Sequence, residues 1–207
     1  MDKITRRVLG AAALALVVAA STSFAQQPQT VRVRGTVEKV DGDTFGIKAR
    51  NGDALTVKLV DPGRATAMVK ATLADIKVGS FIGVTAMPQA DGSQKAIAVH
   101  IFMESQKGVV ADRHLPWDLQ PGSTMTNAIV DTTVAGVDGQ ALMVKYKDGE
   151  KKVIVPPGAP IVAYTPGNKS ELKPGTHVFI VAATKQPDGS LTTQNISYGR
   201  DGVVPPM

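Results

Sequence analysis

The sequence predicts an all-β fold, a tandem duplication of a small five-stranded OB-like β-barrel, with one short helical turn in each unit. Three observations support this fold class. Short stretches alternate apolar and polar residues with the two-residue period of half-buried strands. Asp-Gly and Asn-Gly pairs, which favour tight turns, separate these stretches. The chain also matches itself at an offset of 97 residues, as a duplicated structural unit would.

The self-match is carried by three pairs of segments. The pairs are 36–52 with 133–149, 89–93 with 186–190 and, after a one-residue gap, 75–86 with 171–182. In the first pair, TVEKVDGDTFGIKARNG and TVAGVDGQALMVKYKDG share seven of seventeen residues. A match at one nearly constant offset over much of each half indicates two copies of one unit.

The first unit is predicted to contain five strands and one helical turn. Alternating valines and polar or charged residues from 31 to 38 predict the first strand, which ends at an Asp-Gly turn beginning at Asp41. TFGIKAR and ALTVKLV follow as the second and third strands, separated by an Asn-Gly turn. After Pro62-Gly63 a connection begins, in which TLADIK predicts a helical turn. The strands SFIGVTAM and KAIAVHIF complete the unit.

The second unit repeats this order and completes the predicted domain organisation. Its strands are NAIVDTTVAGV, ALMVKYK, KKVIVP, THVFIVAA and LTTQNISYG. The predicted domains are a signal peptide at 1–25, a first OB-like barrel at 26–103, a linker with Pro-Trp-Asp at 104–126, a second barrel at 127–199 and a C-terminal tail at 200–207. A short tail without strand periodicity is expected to be mobile.

Residues 1–25 have the pattern of a cleavable signal peptide. A basic stretch precedes an apolar run, and Ser23 and Ala25 provide a small-x-small cleavage site. We therefore expect cleavage after Ala25 and export to the periplasm. The general secretion route is expected, although Arg6-Arg7 also fits the twin-arginine route. A retained anchor would need about 20 apolar residues, which this run does not reach.

The composition argues against several functions. The chain has no cysteine, so its stability must come from hydrophobic cores rather than disulfides. Its net charge is +5, and +3 without residues 1–25, which is weak for a dedicated nucleic-acid binder. Aromatic residues make up 4% of the chain, too few to predict stacking platforms for bases.

An Asp-Gly-Asp-Thr stretch has two interpretations, a calcium-dependent nuclease site or a turn between strands. It resembles a segment of thermonuclease-like enzymes, and that resemblance implies Asp41, Asp43 and Asp61 as Ca²⁺ ligands. Lys58 stands where that family has an arginine, and the segment after Asp61 lacks the glutamate that would act as general base. The corresponding turn, which begins at Asp138, lacks the second acid. We therefore predict a turn and no catalytic residues.

The linker supplies the predicted binding site, a groove between the barrels, because ligand sites favour domain interfaces. Its predicted lining residues are Arg113, His114, Trp117 and Asp118. A second interpretation is that Trp117 is packing that fills the space between the barrels. His114, flanked in sequence by Met103 and Met125, could hold a soft copper ion. This ligand set is incomplete, so no metal and no cofactor are predicted.

Other basic and histidine side chains give two weaker predictions. A basic face of the first barrel would contain Arg32, Arg34, Lys39, Lys48, Arg50 and Lys58. It is either a solvated surface or a weak site for an anionic envelope polymer. His100 and His177 are predicted to be half-buried barrel residues.

A resemblance to a known family is carried by seven stretches. They are VRGTVEKVDGDTFGIKARNG, TLADIKVGSFIGV, PQADGSQKAIAVHIF, PWDLQPGSTMTNA, VPPGAPIV, KSELKPG and GRDGVVPPM. In these stretches the chain resembles a family of exported bacterial proteins of unknown function, built from OB-like β-barrel repeats. Relatives sometimes carry the label of a metal ABC transporter permease. That label implies at most an accessory role here, because no segment after residue 25 has membrane-spanning length.

These observations predict a non-enzymatic periplasmic binding or scaffold protein made of two OB-like barrels. Its expected partner is an envelope protein or an anionic envelope polymer. Three alternatives stay open. The first is an accessory metal-binding protein of an envelope transport system, which would depend on His114. The second is a calcium-dependent phosphodiesterase, and the third is a purely structural envelope protein.

Overall fold

The structure of the protein, a computed structural model, describes residues 29–136 and 139–207. The predicted signal peptide, its cleavage site at Ala25, and Asp138 lie outside the described residues. The described chain is all β. Its strands are β1 (Thr30–Asp41), β2 (Thr44–Ala49), β3 (Ala54–Lys70), β4 (Phe81–Pro88), β5 (Gln94–Ile101), β6 (Arg113–Pro116), β7 (Thr124–Gly136), β8 (Gly139–Tyr146), β9 (Gly149–Val155), β10 (Ile161–Pro166), β11 (His177–Lys185) and β12 (Leu191–Gly199).

Short helical turns occur only as single 3-10 turns in the described ranges, at Leu73–Asp75, Glu104–Gln106 and Lys169–Glu171. The first and third are the helical turns predicted for the two units. None of the helices within the described part of the chain has the length and apolar character needed to cross a bilayer.

Five strands close into one β-barrel, here named barrel A. β1, β2 and β3 form an antiparallel meander, and β3 then pairs with β12 in parallel. β11 pairs with both β12 and β1, which closes the circuit. Alternate residues of a barrel strand point inward, so an apolar residue at every second position fills the interior. Buried core residues include Phe45, Ile47, Val57, Ile180 and Tyr198.

Five further strands close a second circuit, here named barrel B. β7, β8 and β9 form its antiparallel meander. β9 pairs with β5 in parallel, β5 pairs with β4, and β4 returns to β7. Its buried core includes Ile82, Val84, Val130, Leu142 and Val153.

Each barrel therefore takes three strands from one half of the chain and two from the other. The predicted boundaries, with contiguous barrels at 26–103 and 127–199, do not match these pairings. This mismatch arises because β3 is 17 residues long and its last part extends beyond barrel A. Its last residues, from Thr66 to Lys70, pair with β10, and β10 pairs in parallel with β5. The chain thus delivers β4 and β5 to barrel B, where they complete a circuit with β7 and β9.

A third apolar cluster, here named the joint cluster, brings together side chains from elements of both barrels. Its buried members are Met68, Met125, Val162, Phe179 and Met207, and Leu115, Trp117, Tyr164 and Val203 pack against them. Met207 belongs to the tail that was predicted to be mobile, yet it is only 2% exposed. The Arg200 backbone N–H also donates to the Met68 carbonyl at 2.9 Å. The expectation of a mobile tail is therefore wrong, because residues 200–207 pack against the fold.

Candidate functional site

Trp117 follows β6 and packs against the joint cluster. Its backbone N–H donates to the Ser123 carbonyl at 2.8 Å, which fixes the loop after β6. The Arg32 guanidinium covers the indole, with its central carbon 4.0 Å from the ring centroid. The indole N–H is buried and has no hydrogen-bond partner among the described residues. Within this geometry Trp117 serves as packing at the joint, with one face covered by a cation.

Asp118 joins two arginines of β1. Arg34 donates to its two carboxylate oxygens at 2.7 and 3.3 Å, and Arg32 lies 3.4 Å away. The hydrogen bond from Arg34, together with the positive charges of Arg34 and Arg32, holds the pKa of Asp118 below its usual range. The Asp118 carboxylate is therefore charged, and its charge is balanced by arginines within the fold.

Two arginines also hold the C-terminal segment. Arg34 donates through Nε to the main-chain oxygen of Met207, and its guanidinium lies 5.2 Å from the Phe179 ring centroid. Arg50 donates to the Pro205 carbonyl at 2.7 Å. These contacts explain why the segment lies packed beside barrel A.

Arg113 and His114 lie apart from this network, on β6 where it pairs with β7. The His114 ring is hydrogen-bonded to the Thr126 hydroxyl at 2.8 Å and lies 6.1 Å from the Tyr146 ring. Burial, and then the charge of Lys151, lowers the pKa of His114. Of the four predicted lining residues, the structure joins Trp117 and Asp118 to β1. It places His114 against barrel B, and Arg113 is exposed.

The alternation of side chains along β6 and β7 separates His114 from Met125, two residues considered for a copper ion. Leu115 pairs with Met125 across β6 and β7, and both belong to the joint cluster. His114 is the preceding residue of β6, so its side chain points to the other face of the sheet. His114 and Met125 therefore do not converge on one point.

The Asp-Gly-Asp-Thr stretch forms the predicted turn between β1 and β2, with Gly42 at a positive φ of 57°. The Asp43 carboxylate pairs with the Lys169 ammonium at 2.6 Å. Across residues 29–136 and 139–207, no group of three or more His, Cys, Asp or Glu side chains is arranged to hold a metal ion.

A basic cleft, which the predicted site did not include, lies on barrel A beside Asp118. Its volume is about 460 Å³, and it is lined by four cationic side chains and one carboxylate. These are Arg32, Arg34, Arg50, Lys185 and Asp53. Three of them belong to the basic face predicted from the alternation along β1 and β2. Lys185 lies on β11, in the other half of the chain, and no sequence pattern predicts its place in this cleft.

Positive charge is concentrated in this basic cleft. Burial, and then the positive charge of Arg34, lowers the pKa of Arg50. Asp53 accepts a hydrogen bond from the Asn51 amide at 2.7 Å, and its own N–H donates to Asn51. The only carboxylate of the lining is thus bound to a neutral neighbour rather than to the cations.

His100 is a buried polar group outside the cleft. It is 3% exposed, more buried than predicted, and its ring contacts Phe102 and Tyr164 edge-on at 4.8 and 5.7 Å between centroids. Burial lowers its pKa to about 3, so the imidazole is neutral at neutral pH. Its Nδ1 atom has no partner among the described residues. We interpret His100 as an aromatic packing group.

Comparison with protein-family models, with curated proteins and with solved structures finds no significant match.

Proposed function

We propose that the protein is an exported, non-enzymatic binding module of the periplasm. In this proposal its two OB-like barrels arose by tandem duplication, and barrel A carries the ligand surface. The observation that carries the proposal is the basic cleft, where Arg32, Arg34 and Arg50 of the first half meet Lys185 of the second. Its side chains supply hydrogen-bond donors and positive charge, which suit recognition of an anionic envelope polymer.

Local geometry supports the duplication. In the Asp91 turn, Ser93 donates to the Asp91 carboxylate through its N–H and hydroxyl at 3.0 and 2.6 Å. In the Asp188 turn, Ser190 makes the same two bonds at 2.9 and 2.7 Å. Each barrel also has the same strand connectivity. A three-stranded meander pairs in parallel with a strand of one hairpin, and the other strand of that hairpin pairs antiparallel with the start of the meander. Matching turns and circuits are expected if both halves descend from one unit.

Export is supported by the basic, apolar and small-residue order of residues 1–25. The resemblance to exported proteins with OB-like repeats agrees with this location. A binding role agrees with the chemistry of the cleft, because arginine and lysine donors recognise anions without cleaving bonds.

A thermal-shift screen of the purified protein tests the binding function. The panel contains an anionic polysaccharide, polyphosphate, short DNA, Ca²⁺, Zn²⁺ and Cu²⁺. We expect an anionic polymer to raise the unfolding midpoint, since ligand at 100 times its Kd stabilises the native state by about 2.7 kcal/mol.

The other outcomes separate the competing functions. Stabilisation by Ca²⁺ that Asp43→Asn abolishes would favour the phosphodiesterase. Stabilisation by Cu²⁺ or Zn²⁺ that His114→Ala abolishes would favour the metal-binding protein. If no ligand changes the midpoint, the binding function is wrong and a purely structural role is favoured.

A further inference from the structure

We propose that the basic cleft of barrel A recognises phosphate groups, so that the anionic ligand is a phosphate-bearing molecule. This inference rests on the proposed binding function and specifies its site and ligand chemistry. Three observations support it: unused hydrogen-bond donors, cations without a carboxylate partner in the described residues, and aromatic rings beside the cleft whose faces are covered.

Several donors of the cleft remain available for a ligand. A guanidinium has five N–H donors. Among the described residues, the Arg50 side chain makes one hydrogen bond, to Pro205. Within residues 29–136 and 139–207, Arg32 contacts the ring of Trp117 and lies 3.4 Å from Asp118. Within the same part of the chain, the exposed Lys185 ammonium forms no ion pair. An anion in the cleft could therefore bind while the packing of the joint cluster stays intact.

The arrangement of charge favours an anion with more than one negative charge. Arg34 lies close enough to Arg50 for its charge to disfavour protonation there. Asp118 compensates Arg34 and Arg32 on one side, and Asp53 is bound to Asn51. Arg50 and Lys185 are left without a carboxylate partner in the described residues. A phosphate monoester carries a charge of about −1.5 to −2 and three acceptor oxygens, which suits a cleft lined by two cations without a carboxylate partner.

The nearby aromatic rings do not offer stacking surfaces for bases. Arg32 covers one face of Trp117, and Arg34 lies over Phe179, which is 1% exposed. Nucleic-acid binding to single strands usually combines a basic groove with free aromatic faces. The cleft therefore fits the phosphate group itself rather than a nucleobase.

Calorimetric titration with pyrophosphate tests this inference on the intact protein. We compare the wild type with Lys185→Gln, which removes a cation that lines the cleft. The matched control is Lys77→Gln, which removes an exposed cation that does not line the cleft. Both variants lose one positive charge, so they differ only in the position of that charge. Circular dichroism checks that each variant keeps the fold.

We expect pyrophosphate to bind, Lys185→Gln to weaken binding about fivefold or more, and Lys77→Gln to change it less than about twofold. Arg50→Gln should weaken binding further, because Arg50 adds both charge and directional donors. Equal losses in the two lysine variants would overturn the inference, since they would indicate non-specific attraction. Absence of pyrophosphate binding would also overturn it.

Two further titrations identify the source of the phosphate. They also distinguish a failure of the phosphate inference from a failure of the proposed binding function. Polyphosphate and a glycerol-phosphate polymer are titrated in parallel, and the tighter of the two gives the source. If short DNA binds more tightly per phosphate than pyrophosphate does, the phosphate-group inference is wrong. If an anionic polysaccharide without phosphate stabilises the protein equally in wild type and Lys185→Gln, the binding function stands and the cleft assignment fails.

Discussion

Replacing Trp117 with alanine is expected to lower the free energy of unfolding by about 2–4 kcal/mol, measured by urea denaturation. The side chain packs against the joint cluster and carries the Arg32 guanidinium on its face. Its removal leaves a cavity between the barrel cores and frees the cation that helps to hold Asp118. Trp117 is half-buried, so we place the effect below that of a fully buried tryptophan.

The matched control is Trp117→Phe, which keeps an aromatic ring and removes the buried indole N–H that lacks a partner. Loss of an unsatisfied donor offsets part of the lost packing, so this variant should change the stability by less than about 1 kcal/mol. If the alanine variant were as stable as the wild type, Trp117 would not be a structural element of the joint.

Replacing Gly83 with alanine is expected to lower the free energy of unfolding by about 3 kcal/mol. A β-carbon on Gly83 would lie 1.9 Å from the Nε2 atom of His100. The imidazole cannot simply turn away, because Phe102 and Tyr164 enclose it. The strain must therefore be spread through the contact between β4 and β5.

A double-mutant cycle with His100→Ala checks this cause. Removing the imidazole opens the space that the new methyl group needs, so the double variant should be more stable than the sum of the single effects by about 1–2 kcal/mol. Strictly additive losses in chemical denaturation would show that the clash with His100 is not the source of the effect.

Local features of the fold were predictable from the sequence. The alternation from Val31 to Val37 places valines in the core of barrel A and Arg32 and Arg34 outside, as the two-residue period requires. The Asp-Gly-Asp-Thr stretch and the Asp91 and Asp188 segments form turns because glycine accepts a positive φ and aspartate binds its own backbone.

Strand partners were not predictable in the same way. Pro62-Gly63 was interpreted as the end of the third strand, but β3 continues to Lys70. The pairing of β3 with β12 jumps from Leu59 to Arg64, so the proline lies in a bulge where its missing N–H costs no ladder hydrogen bond. Turn residues specify local reversals, whereas the choice between the β4–β5 and β11–β12 hairpins as partners of a meander depends on where a distant strand ends.

In the candidate site, too, local sequence was informative and long-range pairing was not. Trp117 and Asp118 were predicted because the linker contains the single tryptophan of the chain, followed directly by an aspartate. His114 is predicted to line one groove with Trp117, but residues 113–116 form β6, and strand alternation turns His114 away from Leu115 and Trp117. The sequence does not predict Lys185 in the cleft, because its place in the lining depends on the long-range pairing of β1 with β11.

The exchange of strands between the two halves, which also assembles the basic cleft, can be tested by disulfide trapping in this cysteine-free chain. Lys58 and Thr192 are direct partners across β3 and β12, whereas contiguous barrels would pair Lys58 with Lys95, the residue that aligns with Thr192. Paired strand residues lie within the Cα separation that a disulfide spans. Oxidation followed by peptide mapping should therefore yield a crosslink in Lys58→Cys/Thr192→Cys and none within the chain in Lys58→Cys/Lys95→Cys. A crosslink in the second variant and not in the first would contradict the exchanged-strand fold.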